Sequence, residues 1–228
     1  MGDILKYLSN NSEDIRFYAQ THFLLVLYSV AIATVIALVL ALVLHTNQLT
    51  PPSWSRALRA GTQETALLVA SALLTVPSLA MFGILQPIFG FGIAPAIIGL
   101  TLYGIYPVLR NTVAGLSSVD PAVLEAARGI GMGPVRRIVR VQMPLAWPVV
   151  LSGIRVSVLI MISIAAVGAV VSGLGFGKPL LDGLTRLGAS GSFPQVVIGT
   201  VGPLVIAAVF EIAFLIVKRL TTPRGIRV

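Results

Sequence analysis

From Thr65 to Leu109 the chain carries no acidic or basic side chain. No other feature narrows the possible folds as much. An α-helix rises about 1.5 Å per residue and a bilayer's hydrocarbon core is about 30 Å thick, so one crossing takes about 20 apolar residues. The run is too long for one crossing and right for two. Pro77, Pro87 and the turn Gly90-Phe91-Gly92 divide it. This spacing predicts one span over 65–86, kinked at Pro77, and another over 94–109.

The rest of the chain repeats the theme. Phe23 to Leu44 is a charge-free run of spanning length. Two further apolar runs are predicted to span, 147–171 with Arg155 as its one charge and 196–217 with Glu211 as its one charge. Only 11% of the 228 residues are charged and 56% are hydrophobic, whereas a soluble domain carries about 25% charge. The expectation is an all-α integral membrane protein with about five transmembrane helices. One domain covers 23–217. A polar tail, 1–22, precedes it, with a short amphipathic helix that puts Ile4, Leu5 and Leu8 on one side. A basic tail, 218–228, follows. The first apolar run reads as an uncleaved anchor, and Lys6 stands where a myristoylation site needs Ser or Thr. There is no cysteine, which excludes disulfide and thiolate chemistry.

The net charge of +8 sits in segments that flank apolar runs. Topology and anionic lipid account for it better than nucleic acid does. Loop 45–61 carries Arg56 and Arg59, and the tail carries Lys218, Arg219, Arg224 and Arg227. Loop 110–144 has five arginines against Asp120 and Glu125. The N-terminal tail is slightly acidic, and loop 174–195 holds Lys178 and Arg186 against Asp182. With five crossings and the N-terminus outside, every strongly basic segment falls on one side. The positive-inside rule makes that side cytoplasmic, with the C-terminus inside.

Ser118 to Pro144 is the longest polar interval between two spans. Asp120 suits an N-cap and Pro121 a first helical position. Gly129, Gly131, Gly133 and Pro134 should end that helix, and Val135 to Val141 can form a second. Glu125-Ala126-Ala127, Gly131 four residues on, and Val141-Gln142-Met143-Pro144 then stand out. This stretch resembles the cytoplasmic Glu-Ala-Ala loop of ABC importer permeases, with Val141 and Met143 where that family usually has Ile and Leu. The resemblance implies a two-helix coupling loop between the third and fourth spans that docks on an ATPase subunit. Glu125, Ala126, Ala127, Gly131 and Pro144 would be the coupling residues, and Arg128, Arg136, Arg137 and Arg140 would anchor the loop. The plain alternative is an ordinary basic loop.

Two more segments carry the resemblance further. Leu74-Thr75-Val76-Pro77-Ser78-Leu79-Ala80 and Leu102-Tyr103 through Arg110-Asn111-Thr112 are similar to segments of osmoprotectant permeases of the glycine betaine, choline and carnitine type. The resemblance covers about residues 23–217. It implies a subunit of the bacterial plasma (inner) membrane. Its partners would be a second permease, identical or a paralogue, two cytoplasmic ATPases and an extracytoplasmic substrate-binding protein. The chain itself would hold no cofactor and catalyse nothing. Gly173-Leu174-Gly175-Phe176-Gly177 is no phosphate loop, because no Lys-Ser/Thr follows it. A permease for methionine or another amino acid shares these signals. An ion-gradient-driven carrier or channel is the alternative of another class.

Few residues inside the spans offer chemistry, and no metal-ligand spacing or nucleophile–base set is evident. Arg155 and Glu211 lie at similar depths, and buried charges need partners, so they are a candidate intramembrane ion pair. The other reading has Arg155 snorkelling to the interface and Glu211 meeting Lys218. Pro77, Tyr103 and Tyr106 are candidates for the translocation path, with plain packing as the alternative for the tyrosines. His22, His45 and Trp54 read as interface residues, and Glu64 as interfacial at the mouth of the second span. The small residues Ser152, Gly153, Ser157, Ser163, Ala165, Ala166 and Gly168 suggest close helix packing, within the subunit or across a dimer.

Overall fold

The computed structural model describes residues 2–49 and 55–222. Among these, every regular element is helical. A short α1 (Gly2–Asn10) leads into α2 (Ser12–Leu49), which carries the first apolar run. Next come α3 (Ser55–Thr75), α4 (Ser78–Phe89) and α5 (Ile93–Ser117). Beyond them lie α6 (Pro121–Gly129) and α7 (Pro134–Arg137). A π-helical turn over Ile138–Gln142 joins α7 to α8 (Met143–Ser172). The chain closes with α9 (Gly177–Thr185) and α10 (Ser192–Thr221). Pro51, Pro52 and Trp54 lie outside the described residues, as do Arg224, Arg227 and the side chains of Arg56 and Arg59.

Four helical stretches are long and apolar enough to cross a membrane: Ser12–His45, Ile93–Ser117, Pro134–Ser172 and Ser192–Thr221. The fifth candidate is not one kinked rod. Gly61–Thr75 and Ser78–Phe89 meet at 96°. Pro77 has no N–H to continue the α3 ladder and its ring opposes an α conformation at Val76. Both penalties fall at one peptide, so the helix breaks there.

The centre of the bundle is made by close backbone approach. A Cβ on Gly104 of α5 would fall 2.7 Å from Ser157 Oγ of α8 and 3.1 Å from Ala33 Cβ of α2. A Cβ on Gly153 of α8 would fall 2.8 Å from the Pro107 carbonyl of α5. From α2, Ala33, Ala37 and Ala41 face this seam, all fully buried. Small residues let helix backbones approach closely where lipid supplies no hydrophobic force between helices. The small residues of α8 divide by face. Gly153, Ser157, Ala165 and Gly168 are buried within the chain, while Ser152 and Ser163 are exposed.

Candidate functional site

The segment that follows α5 is built as a capped, exposed helix. The Asp120 carboxylate accepts the Ala122 N–H at 2.8 Å, and Pro121 fills the first turn. At the other end Gly131 N–H donates to the Arg128 carbonyl at 2.8 Å and Met132 N–H to the Ala127 carbonyl at 3.1 Å. Gly131 has φ +80. This pair of bonds around a left-handed residue is a Schellman motif, and it satisfies carbonyls that the helix leaves open. Ala127 is buried beneath α6, while Glu125, Ala126 and Arg128 are exposed. Val123, Ile130, Val135 and Val139 are exposed too, so an apolar surface lies among Arg128, Arg136 and Arg140. Arg137 does not join them: it is 5% exposed, on a short helix that packs against α2.

No separate second helix stands between α6 and the span. Pro134–Ser172 runs on as one helical stretch. Pro144 lacks an N–H and its ring crowds the carbonyl four residues back. The widened turn just before it, in which Met143 N–H donates to the Ile138 carbonyl, makes room for that ring. Two side-chain bonds pin this end of the bundle. His45 Nε2 donates to Gln142 Oε1 at 2.9 Å, and Trp147 Nε1 donates to Thr221 Oγ1 at 2.8 Å. His45, read from the sequence as an interface residue, is thus half-buried against the π turn.

Within the apolar segments the structure brings some candidates together and separates others. The Tyr103 hydroxyl donates to the Val76 carbonyl at 2.5 Å, so Tyr103 and Pro77 meet at the α3–α4 break. The bond serves a carbonyl that the break removes from its helical ladder. A cleft beside it is lined by Thr75, Pro77, Ser78, Tyr103, Ile160 and Ile164. Tyr106 lies apart. Its hydroxyl accepts from Arg110 Nη1 at 2.8 Å, and that guanidinium lies 5.9 Å from the ring centroid. Arg155 and Glu211 meet across α8 and α10, with Nη2–Oε2 at 2.6 Å and Nε–Oε1 at 2.8 Å.

The sequence model for binding-protein-dependent transport system inner membrane components matches residues 53–224. The chain belongs to this family. It is therefore a transport permease of the inner membrane rather than an enzyme. The permease is 33% identical to the osmoprotectant import permease protein OsmW of Salmonella typhimurium, over 99% of this chain and 100% of that one. It is 29% identical to the choline transport system permease protein OpuBB of Bacillus subtilis, over 100% of this chain and 97% of the relative. The inward-facing MetNI methionine ABC transporter aligns with a TM-score of 0.73 at 17% identity, covering 90% of this chain and 95% of that one. That likeness establishes the fold.

Two features of the permease were missed from its sequence. His22 is not at an interface but fully buried. Its Nε2 donates to the Ile162 carbonyl at 3.2 Å, and its Nδ1 accepts the Phe176 N–H at 3.3 Å. The neighbouring Thr21 hydroxyl accepts the Gly175 N–H at 3.1 Å. These bonds lock the start of α2 to α8 and to the chain leaving α8. The glycine-rich stretch, expected as a loop, folds back as α9 between α8 and α10. A Cβ on Gly177 would fall 1.9 Å from the Ala166 carbonyl, and one on Gly199 would fall 2.6 Å from the Leu180 backbone. The signal was present as glycines spaced along 173–202, but composition alone does not separate a loop from a tightly packed helix.

Proposed function

We propose that this permease subunit imports quaternary-amine osmoprotectants, namely glycine betaine, choline and carnitine. An extracytoplasmic binding protein delivers them, and two cytoplasmic ATPases drive the cycle. The observation that carries the reading is the similarity, at 33% identity over 99% of this chain and 100% of the relative, to an osmoprotectant import permease. The end of the bundle bearing α6 is cytoplasmic in this reading, because it carries the arginine-rich segments. Two copies, or one copy and a paralogue, enclose the path. The mostly uncovered face of α10 supports a partner there.

In the same reading α6 is the docking helix. Ala126 permits close approach of the ATPase, Glu125 and Arg128 meet polar groups on it, and Val123 and Ile130 give apolar contact. Arg136 and Arg140 flank the contact, while Arg137 acts from beneath it. Closure of the ATPases on ATP moves α6 and α7 and rocks the spans from inward- to outward-facing.

The test is uptake of labelled glycine betaine, choline and carnitine by cells expressing this subunit with its neighbouring genes. A parallel arm offers labelled methionine. Uptake should persist when ion gradients are collapsed with ATP maintained, and should stop when ATP is depleted. Uptake of methionine alone would replace the substrate assignment, and uptake that follows an ion gradient would replace the ATP-driven mechanism.

A further inference from the structure

Arg155 and Glu211 are joined at two points, yet their side chains are 54% and 28% exposed on the surface of the chain. Both sit within apolar spans. Charged groups at that depth face protein or a water-filled cavity rather than lipid. The face that bears them carries serines among apolar residues. On α8 the exposed stripe runs Ser152, Arg155, Val156, Leu159 and Ser163, spaced as one helix face. Between α8 and α10 lies a groove lined by Leu151, Ser152, Arg155, Glu211, Phe214 and Lys218. It therefore brings a guanidinium, a carboxylate and an aromatic ring to one place.

Those three groups match a particular kind of solute. A guanidinium has five N–H donors, and the Glu211 contacts engage one on Nε and one on Nη2. Three remain for a second carboxylate. A quaternary ammonium has no hydrogen to donate, so it is held by charge and by an aromatic face, and Glu211 and Phe214 offer both. We infer that the Arg155–Glu211 groove faces the translocation path and that Arg155 selects zwitterionic solutes carrying both a carboxylate and a quaternary ammonium over solutes carrying the ammonium alone. The inference rests on the osmoprotectant reading above. Glycine betaine and carnitine take both halves of the groove, whereas choline, with a hydroxyl in place of the carboxylate, takes only the Glu211 and Phe214 half. Glu211 also holds the Arg155 fork in position, so the free transporter does not leave a lone charge in the span.

The experiment measures initial uptake of labelled glycine betaine and choline by the complete transporter, with the subunit's amount in the membrane quantified. Arg155→Gln is compared with wild type, and Arg155→Gln/Glu211→Gln removes the charge that the single change leaves unpaired. Losing a charged hydrogen-bond pair costs about 10-fold to 100-fold in affinity. The betaine-to-choline ratio should therefore fall about tenfold or more in both variants. Should Arg155→Gln fail to reach the membrane, Arg155→Lys keeps the charge but not the fork, and the ratio should fall by a smaller factor. Equal losses for the two solutes, leaving the ratio at its wild-type value, would make the pair purely structural and overturn the selectivity role. Wild-type uptake of neither solute would overturn the osmoprotectant reading itself, and this inference with it.

Discussion

Gly131 gives the cleanest test of how α6 works. It sits at φ +80, and a Cβ there would meet nothing within 4 Å. Replacing it adds no clash, so the cost is that of the left-handed backbone alone, about 1–2 kcal/mol for an L-residue. That cost falls on the two bonds that end α6, from Gly131 and Met132 to Arg128 and Ala127. A change of this size lowers the fraction of correctly ended helix by a factor of about 5–30. Gly131→Ala should therefore weaken ATPase retention during co-purification, and lower uptake, by up to that factor. Gly131→Asn should do less harm, since Asn visits this region more readily. Thermal unfolding of the bundle should hardly move, because α6 is largely exposed. The control is Gly133→Ala: Gly133 has φ −66 and equally open surroundings, so it should behave as wild type. If Gly131→Ala and wild type were equal in retention and uptake, the geometry of this helix end would not be what the partner reads. If Gly133→Ala were just as harmful, side-chain bulk rather than backbone conformation would be responsible.

Other changes probe the bundle. Tyr103→Phe leaves the Val76 carbonyl unserved in an apolar setting and should cost about 1–3 kcal/mol, read as a lower melting temperature in detergent; Tyr106→Phe, whose hydroxyl meets an exposed arginine, should cost less. Gly177→Ala forces a methyl group into the Ala166 carbonyl, so α9 must shift, at about 1–3 kcal/mol or more, and protease access around 177–191 should rise. His22→Phe keeps the bulk but leaves the buried Phe176 N–H without its partner, which should cost about 1–3 kcal/mol in thermal stability; the Ile162 carbonyl, inside α8, keeps its helical bond. Trp147→Phe removes the bond to Thr221 while leaving α6 intact, so ATPase retention should stay normal while uptake falls.

What could be read from the residues alone was whatever short-range chemistry decides. Absence of charge over 65–109 marks apolar segments because ionised groups are costly in lipid. Asp120-Pro121 marks the start of α6 because a side chain and a ring act within one turn. Helix ends were harder. Arg110 looked like the end of a span, but α5 continues to Ser117, since an arginine paired with Tyr106 one turn back does nothing to stop a helix. Pro144 looked like the boundary between loop and span, but a π turn absorbs its ring. At Pro77 the local signal was correct and its magnitude was not: whether a proline kinks or breaks a helix depends on what can take up the freed carbonyl, and here that is Tyr103, from another helix. The fate of His22 is the least legible of all. A lone histidine beside an apolar run looks like an interface residue unless the carbonyl of Ile162 and the amide of Phe176, both more than a hundred residues away in sequence, are known to converge on it.

The same contacts make some parts of the molecule stiffer than others. α7, the π turn and α8 form a single stretch of 39 residues, about 58 Å of continuous helix. It carries the exposed Arg136 and Arg140 at one end, Arg155 within the span, and the Phe176–His22 junction just beyond its far end. Trp147 to Thr221 and Arg155 to Glu211 bind it to α10 at two levels, and Gly104 and Gly153 bind it to α5 without room for sliding. A displacement applied at α7 is therefore expected to travel as movement of this whole block. α3 and α4 are placed differently. They meet at 96°, and their break is held by one tyrosine hydroxyl rather than by continuous helix. Bending stiffness is lowest where the ladder of backbone bonds is interrupted, so the α3–α4 elbow is where the fold can yield while the block does not. The Tyr103 cleft lies at that elbow, and the Arg155 groove lies on the block. On the proposal that the Arg155 groove faces the path, a solute there would meet a wall that does not bend.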